Sequence, residues 1–158
     1  VSVMTVNNET GVIQPINDIG KLTAKYCALF HTDAVQAIGN IPVNVEDMGV
    51  DMLSMSGHKF GAPCGIGALY IRNRKIDPII FGGSQEQGIR GGTHNVAGIV
   101  AIGAAIELAS KEMNKHTHDM KVLRSAFLGE IMGVDGIKIN CCDEHQADNI
   151  ISVTVDGV

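Results

Sequence analysis

The order of apolar and polar positions predicts strands that alternate with helices over the first part of the chain. Residues 1–6 form an alternating, β-branched run that is typical of a strand, and residues 15–25 carry apolar side chains at helical spacing. Apolar segments at 27–30, 51–56 and 65–72 predict three further strands. Strands separated by helices or long connections favour an α/β fold with a mostly parallel, doubly wound sheet.

The pattern changes after residue 95. Two successive helices and two short strands are predicted there, at residues 96–111, 115–132, 136–140 and 149–155. We therefore predict that residues 1–114 are part of a large α/β domain and that residues 115–158 begin a smaller α+β domain. Strand-like segments at both ends predict that the chain is an internal fragment of a longer protein.

The composition of the chain excludes several classes of protein and makes some binding partners unexpected. Of 158 residues, 45% are hydrophobic and 18% are charged, which excludes a disordered chain. The formal net charge is −5 without a basic block, so binding to nucleic acid or to a membrane surface is not expected. The longest uncharged apolar run spans the eleven residues 96–106, short of the about 20 that a membrane-spanning helix needs. Four cysteines and no signal-like start favour a reduced, cytoplasmic protein.

Polar side chains with complementary chemistry come after the predicted strands. Asn8, Asp33 and a cluster of Ser56, His58 and Lys59 lie close to predicted strand ends, which meet at one edge of a parallel sheet. An amide, an acid, a hydroxyl, an imidazole and an amine in one crevice suit a cofactor with a ring nitrogen, a phenolic oxygen, a phosphate and an aldehyde. Pyridoxal 5′-phosphate carries all four groups.

Charge assigns a role to each group. Lys59 is the candidate amine for the aldehyde, because a desolvated lysine loses its proton readily enough to form a covalent bond there. Ser56 and His58 would hold the phosphate. Asp33 would stabilise the protonated ring nitrogen, and Gln36 would donate to the phenolic oxygen. Taken singly, these residues have ordinary alternatives, Lys59 as a solvated surface side chain and Asp33 as a turn or helix cap.

Four motifs resemble those of one enzyme family. They are VNNETG at residues 6–11, HTDAVQ at 31–36, SMSGHK at 54–59 and RGGT at 90–93. In order and spacing they closely resemble cysteine desulfurases, which are class V aminotransferases among the fold-type I pyridoxal phosphate enzymes. The resemblance covers essentially the whole chain and implies the fold-type I α/β architecture.

The resemblance implies the same cofactor roles. Lys59 would bind the cofactor covalently, and Asp33 would pair with the ring nitrogen. Gln36 would bind the ring oxygen, and Ser56 and His58 would bind the phosphate. Asn8 would lie beside the cofactor and the incoming amino acid. Thr93 would reach the phosphate of the partner subunit, which implies a homodimer with shared sites.

The implied activity is the conversion of L-cysteine to L-alanine, with the sulfur held as an enzyme persulfide. The sulfur would pass to an acceptor or scaffold protein for iron–sulfur cluster assembly or tRNA thiolation. In the family, the nucleophilic cysteine and the arginine that binds the substrate carboxylate lie downstream of the residues present here, so the fragment alone is expected to be inactive. The alternatives are another class V enzyme, such as a selenocysteine lyase or an aminotransferase, and a non-catalytic scaffold fragment.

None of the cysteines in the sequence is predicted to replace that nucleophile. Cys27 lies in an apolar run and is expected in the core. Cys64 is close to Lys59 in sequence, but family members have a non-catalytic residue there. Cys141 and Cys142, with His145, lack the spacing of a zinc site, so we predict a surface connection and no metal.

Overall fold

A mixed sheet organises the first part of the computed structural model, which describes residues 1–72, 76–140 and 143–157. Its strands, in their order across the sheet, are β1 (Ser2–Met4), β2 (His31–Asp33), β3 (Met52–Ser56) and β4 (Gly67–Ile71). The first three strands are parallel, and β4 runs antiparallel to β3. The mostly parallel arrangement, with helices in the connections, confirms the predicted α/β class.

The helices of the described chain are α1 (Ile16–Lys25), α2 (Val45–Met48) and α3 (Val96–Ile131), and short 3₁₀ turns occur at Gly57–Phe60, Gln85–Gly88 and Asp143–His145. Helix α1 lies where the apolar spacing predicts it and buries Ile16 and Thr23. Its Gly20 allows the backbone at the end of α2 to approach closely, since a Cβ there would collide with the carbonyl of Met48. The main core is a cluster of Val6, Ile16, Phe30, Ala34, Ala37, Met48, Val50, Leu53 and Ala147.

The two faces of the sheet differ in polarity. Val3, Thr32 and Leu53 are register partners, and Thr32 and Leu53 are fully buried against the core. On the other face lie Ser2, Met4, His31, Asp33, Met52 and Ser54, all exposed or half-buried, and this set is named the open face. In the described part of the chain, the open face carries polar side chains and two methionines, and it is more accessible than the face packed against the core.

One predicted strand is displaced from its observed position. Residues 27–30 are not in the sheet, and β2 occupies the polar segment that follows them. The chain leaves α1 through a turn in which Cys27 has a φ of +50° and the N–H of Ala28 donates to the Thr23 carbonyl. The backbone is therefore engaged with the helix end as far as Ala28, and the Phe30 N–H donates instead to Asp51 Oδ2. Cys27 is exposed in this turn, so the prediction that it lies in the core is wrong.

The two helices predicted after residue 95 are one continuous helix, and that prediction is wrong. Helix α3 has 36 residues and starts at the N-cap Asn95, whose side chain accepts a hydrogen bond from the Gly98 N–H. The polar segment at 111–119 contains no proline or glycine, and it continues the helix as an exposed turn instead of breaking it. The division into domains at 114/115 falls within this helix and stays a prediction.

The C-terminal part contains the two predicted strands, β5 (Ile137–Ile139) and β6 (Val153–Val155), which pair antiparallel. Between them, Cys141 and Cys142 lie outside the described residues. Among the described residues, no helix is long and apolar enough to cross a membrane.

Candidate active site

Four of the predicted site residues, Asp33, Ser56, His58 and Lys59, lie where β2 and β3 end. Because the two strands are parallel, their carboxyl ends share one edge of the sheet. Asp33 is the last residue of β2 and pairs with Ser54, two residues before Ser56 at the end of β3. Neighbouring strands are about 4.8 Å apart and a strand rises about 3.3 Å per residue, so Asp33 and Ser56 lie within about 8 Å of each other at the backbone.

The Asp33 carboxylate is held at one oxygen and available at the other. Its Oδ1 accepts a hydrogen bond of 2.9 Å from the Val35 N–H, and no other hydrogen bond to this side chain occurs in the described ranges. The strand end is fixed by backbone bonds on both sides, from Thr5 N–H to the Asp33 carbonyl at 2.7 Å and from Ala34 N–H to the Ser54 carbonyl at 2.9 Å. A firmly placed, exposed carboxylate oxygen is suited to a cationic N–H partner.

The 3₁₀ turn after β3 carries a hydroxyl, an imidazole and an amine together. Ser56 Oγ lies 3.1 Å from His58 Nδ1, so these two side chains point to one place. Lys59 follows directly and is exposed, with no ion pair within the part of the chain that the structure describes. The turn begins at buried Gly57, whose N–H donates to the Ile66 carbonyl at 2.9 Å and whose carbonyl accepts from Ala62 N–H at 3.0 Å.

Asn8 and Gln36 lie on the loops after β1 and β2. Asn8 is exposed and comes four residues after the end of β1, because the observed strand is shorter than the predicted one. Its loop is shaped by Asn7, whose Oδ1 accepts from Glu9 N–H at 2.9 Å and Thr10 N–H at 2.8 Å. Gln36 is half-buried and lies three residues after Asp33, in the turn that follows β2. The next residue, Ala37, is fully buried.

Thr93 is not brought to this group within the chain. It is exposed and lines a separate cleft of about 1060 Å³ on the β4 side of the molecule, together with Leu69 and Ile80. None of Asp33, Ser56 and Lys59 lines that cleft. The expectation that Thr93 serves the site of a partner subunit stays a prediction.

The family of the chain is decided by its match to known proteins. The class V aminotransferase family model matches residues 1–158. The chain belongs to that family. A curated relative of this class V chain, the cysteine desulfurase IscS of Dictyoglomus turgidum, is 54% identical over 132 residues, which cover 83% of the chain and 34% of the relative.

Solved structures agree with the class V assignment. A NifS-like protein from Rickettsia africae superposes with a TM-score of 0.96 at 35% identity, covering 100% of this chain and 44% of that one. A structure described as SspA in complex with cysteine is 49% identical, with a TM-score of 0.65 over 67% of this chain and 31% of that one. The predicted fold-type I class is thereby confirmed. The class V chain spans 28% to 40% of the length of eight curated relatives that it matches.

The donor set of this class V chain fits pyridoxal 5′-phosphate. A carboxylate with one available oxygen, a converging hydroxyl and imidazole, and an exposed amine are brought to one edge by β2, β3 and the turn after β3. These groups match a ring nitrogen, a phosphate and an aldehyde, respectively.

The sequence analysis did not predict two sets of side-chain hydrogen bonds around the site. His31 bridges two serines on the open face, with its Nδ1 2.7 Å from Ser2 Oγ and its Nε2 2.8 Å from Ser54 Oγ. Gln146 connects the C-terminal part of the chain to the loop that contains Asn8, since its Nε2 donates a hydrogen bond of 2.7 Å to the Thr10 carbonyl. The period-2 placement of His31 and Asp33 on one strand was a signal for the first contact, whereas no local pattern indicates the second.

Proposed function

We propose that the protein is a cysteine desulfurase that uses pyridoxal 5′-phosphate to convert L-cysteine to L-alanine and an enzyme persulfide. One observation carries this proposal: a class V chain brings Asp33, the Ser56–His58 pair and Lys59 to one edge of its sheet. The desulfurase assignment is supported by the name of the Dictyoglomus relative. The structural relative in complex with cysteine supports L-cysteine as the substrate.

Asp33 and Gln36 would bind the ring of the cofactor. Asp33 Oδ2 is the available acceptor for a protonated ring nitrogen, since Oδ1 is occupied by the Val35 N–H. A carboxylate at that position keeps the nitrogen protonated. When bound, the cofactor supplies an electron sink that draws electrons away from the substrate Cα. Gln36 would donate its amide N–H to the ring oxygen, and Asn8 would lie beside the ring and the amino acid.

Ser56, His58 and Lys59 would complete the site. The hydroxyl and imidazole, 3.1 Å apart, form a hydrogen-bonded pair that would donate to the phosphate. Lys59 Nζ would bind the aldehyde covalently and, once released by the substrate amine, would accept and return the Cα proton.

Sulfur transfer requires a cysteine thiolate that attacks the substrate sulfur. The S–S bond forms as the C–S bond breaks, and a proton replaces sulfur on the carbon, so cysteine becomes alanine and the enzyme thiol becomes a persulfide. Cys27 and Cys64 are both exposed free thiols, but neither is assigned this role. We assign it to a cysteine of the full-length protein outside this chain. The persulfide would then pass to an acceptor or scaffold protein, for iron–sulfur cluster assembly or tRNA thiolation.

A homodimer with shared sites and a cytoplasmic location complete the proposal. Ile79, Ile80 and Phe81 are 92%, 54% and 82% exposed, which is unusual for three successive large apolar residues. The N–H of Gly91 donates to the Ile80 carbonyl at 2.9 Å, so this apolar segment is joined to the turn that precedes Thr93. An interface over this segment would bring Thr93 to a partner's site. Two free thiols in the described chain are consistent with a reducing compartment.

The test is borohydride trapping in the full-length protein. Reduction in the presence of pyridoxal 5′-phosphate is expected to attach the cofactor to Lys59, as located by peptide mass spectrometry. Lys59→Ala is expected to abolish both the adduct and the formation of alanine from cysteine, because no other amine occupies the turn after β3.

A matched control is Lys138→Ala, which removes an exposed lysine from β5. This variant is expected to retain the adduct and the activity. Alanine formation at the wild-type rate in the Lys59 variant would refute the proposal. An adduct without alanine formation in the wild-type protein would favour a different class V activity or a scaffold role.

A further inference from the structure

The hydrogen bonds of His31 connect three strands across the open face. Its Nδ1 lies 2.7 Å from Ser2 Oγ on β1, and its Nε2 lies 2.8 Å from Ser54 Oγ on β3. The ring is half-buried, and both of its nitrogens are engaged by hydroxyls that can donate or accept. Its place on β2, two residues before Asp33, puts the two side chains on the same face of the sheet.

Ser54 is the important partner because of its register. His31 pairs with Met52 across the sheet, whereas Ser54 pairs with Asp33. The ring therefore reaches diagonally along the face, toward the carboxyl end of the strands. The hydroxyl that it engages belongs to the residue directly beside Asp33, on a strand about 4.8 Å away.

We propose that His31 is a positioning residue that occupies the Ser54 hydroxyl and thereby keeps it from the Asp33 carboxylate. In the structure, Ser54 Oγ bonds to His31, and Asp33 accepts only the Val35 N–H among the described residues. One carboxylate oxygen is thus left for the ring nitrogen of the cofactor. This inference rests on the proposed function and explains how the second carboxylate oxygen of Asp33 is kept available for the cofactor.

Loss of the imidazole changes the partner of Ser54. Without His31, the Ser54 hydroxyl is free to donate to the carboxylate of its register partner Asp33, which lies on the same face. A carboxylate that accepts an additional hydrogen bond holds a proton on a second partner less strongly, because its negative charge is already partly stabilised. The ring nitrogen of the cofactor would then be less protonated and the cofactor less tightly bound.

The first experiment measures cofactor binding to His31→Phe in the full-length protein. Phenylalanine fills similar space without hydrogen-bonding groups. We expect about tenfold weaker binding of pyridoxal 5′-phosphate, a factor that corresponds to about 1.4 kcal/mol, near the upper value for a net hydrogen bond. With ¹⁵N-labelled cofactor, the NMR signal of the ring nitrogen is expected to shift toward the unprotonated position.

The decisive variant is the double substitution His31→Phe with Ser54→Ala. Removing the hydroxyl removes the competing donor, so the proposal predicts that cofactor affinity and the ¹⁵N shift return close to wild-type values. A merely structural role predicts no recovery, because the hydrogen bonds of His31 are already lost in His31→Phe. His31→Gln, whose amide can still engage Ser54, is expected to bind the cofactor within about threefold of wild type.

Thr32→Val is the matched control on the other face of the same strands. It removes the hydrogen bond of 2.8 Å that Thr32 Oγ1 donates to the Val3 carbonyl of β1, together with the buried contact of 2.8 Å to Thr5 Oγ1 just after that strand. It is expected to lower the unfolding temperature without moving the ¹⁵N shift.

Two results would overturn the inference: wild-type cofactor affinity in His31→Phe, or a double variant that binds no better than His31→Phe. Failure of the proposed function has a different signature, since the wild-type protein itself would then give no adduct at Lys59.

Discussion

The substitution Gly57→Ala tests whether the turn that carries Lys59 is fixed by close packing. A Cβ at Gly57 would lie 2.9 Å from Ala62 Cβ, 3.0 Å from Ile66 Cγ2 and 3.1 Å from the Ile66 carbonyl oxygen. Favourable carbon–carbon contacts begin at about 3.5 Å. The Ile66 carbonyl cannot turn away, because it accepts the hydrogen bond from the Gly57 N–H. The turn must therefore move by about half an ångström.

The structure sets the size of the effect. Overpacking a well-filled site costs about 1–3 kcal/mol. Alanine also restricts the unfolded chain, which offsets about 0.4–1 kcal/mol of that cost. We expect a net loss of about 1–2 kcal/mol in the free energy of unfolding. Since Lys59 follows two residues later, the shift also displaces its amine, and a displacement of this order reduces catalysis by about tenfold or more.

Urea unfolding of the full-length protein measures the first effect, and alanine formation from cysteine measures the second. The control is Gly103→Ala in α3, where an added Cβ meets no atom within 4 Å. This variant is expected to be about 1 kcal/mol more stable, from helix propensity alone, with unchanged activity. Wild-type stability and activity in Gly57→Ala would refute the packing argument.

Two further substitutions test the supports of the long helix and of the Asn8 loop. Asn95→Ala removes the N-cap that accepts the Gly98 N–H, and it is expected to lower stability by about 1 kcal/mol in urea unfolding, while Asn95→Asp retains wild-type stability. Arg124→Leu removes donors to Gln146 Oε1 at 2.6 Å and to the Ile150 carbonyl at 2.8 Å, and it is expected to cost about 2–3 kcal/mol by the same measurement. An unchanged urea midpoint in Arg124→Leu would show that this contact does not hold the C-terminal segment.

The apolar periodicity of the sequence correctly predicted those helices and strands whose structure is determined by the local sequence. Helix α1 and strand β3 carry clear apolar patterns and form where expected. The prediction of a strand at 27–30 is wrong because these apolar residues form the turn that follows α1. Of the four, only Phe30 packs into the core. The single helix α3 was missed because a polar surface segment and a helix break give the same pattern of hydrophobicity, and only the absence of proline and glycine distinguishes them.

The candidate site was predictable in part, because the parallel-sheet rule places strand ends together. That rule located Asp33, Ser56 and the turn with Lys59 at one edge. It could not give the register, and register is what makes Ser54 the neighbour of Asp33. Gln146 was also beyond sequence reasoning, since its contact with Thr10 joins positions 136 residues apart.

The strands lie across the sheet in the order in which they are synthesised. Among the four strands of this sheet that the structure describes, each new strand leaving the ribosome therefore finds its partner already present, and none inserts between two earlier ones. Chain elongation proceeds at about 5–20 residues per second, whereas loops close far faster. By the time Ile71 has emerged, β1 to β4 and the turn with Lys59 are all available, so these strands can pair before α3 has left the ribosome.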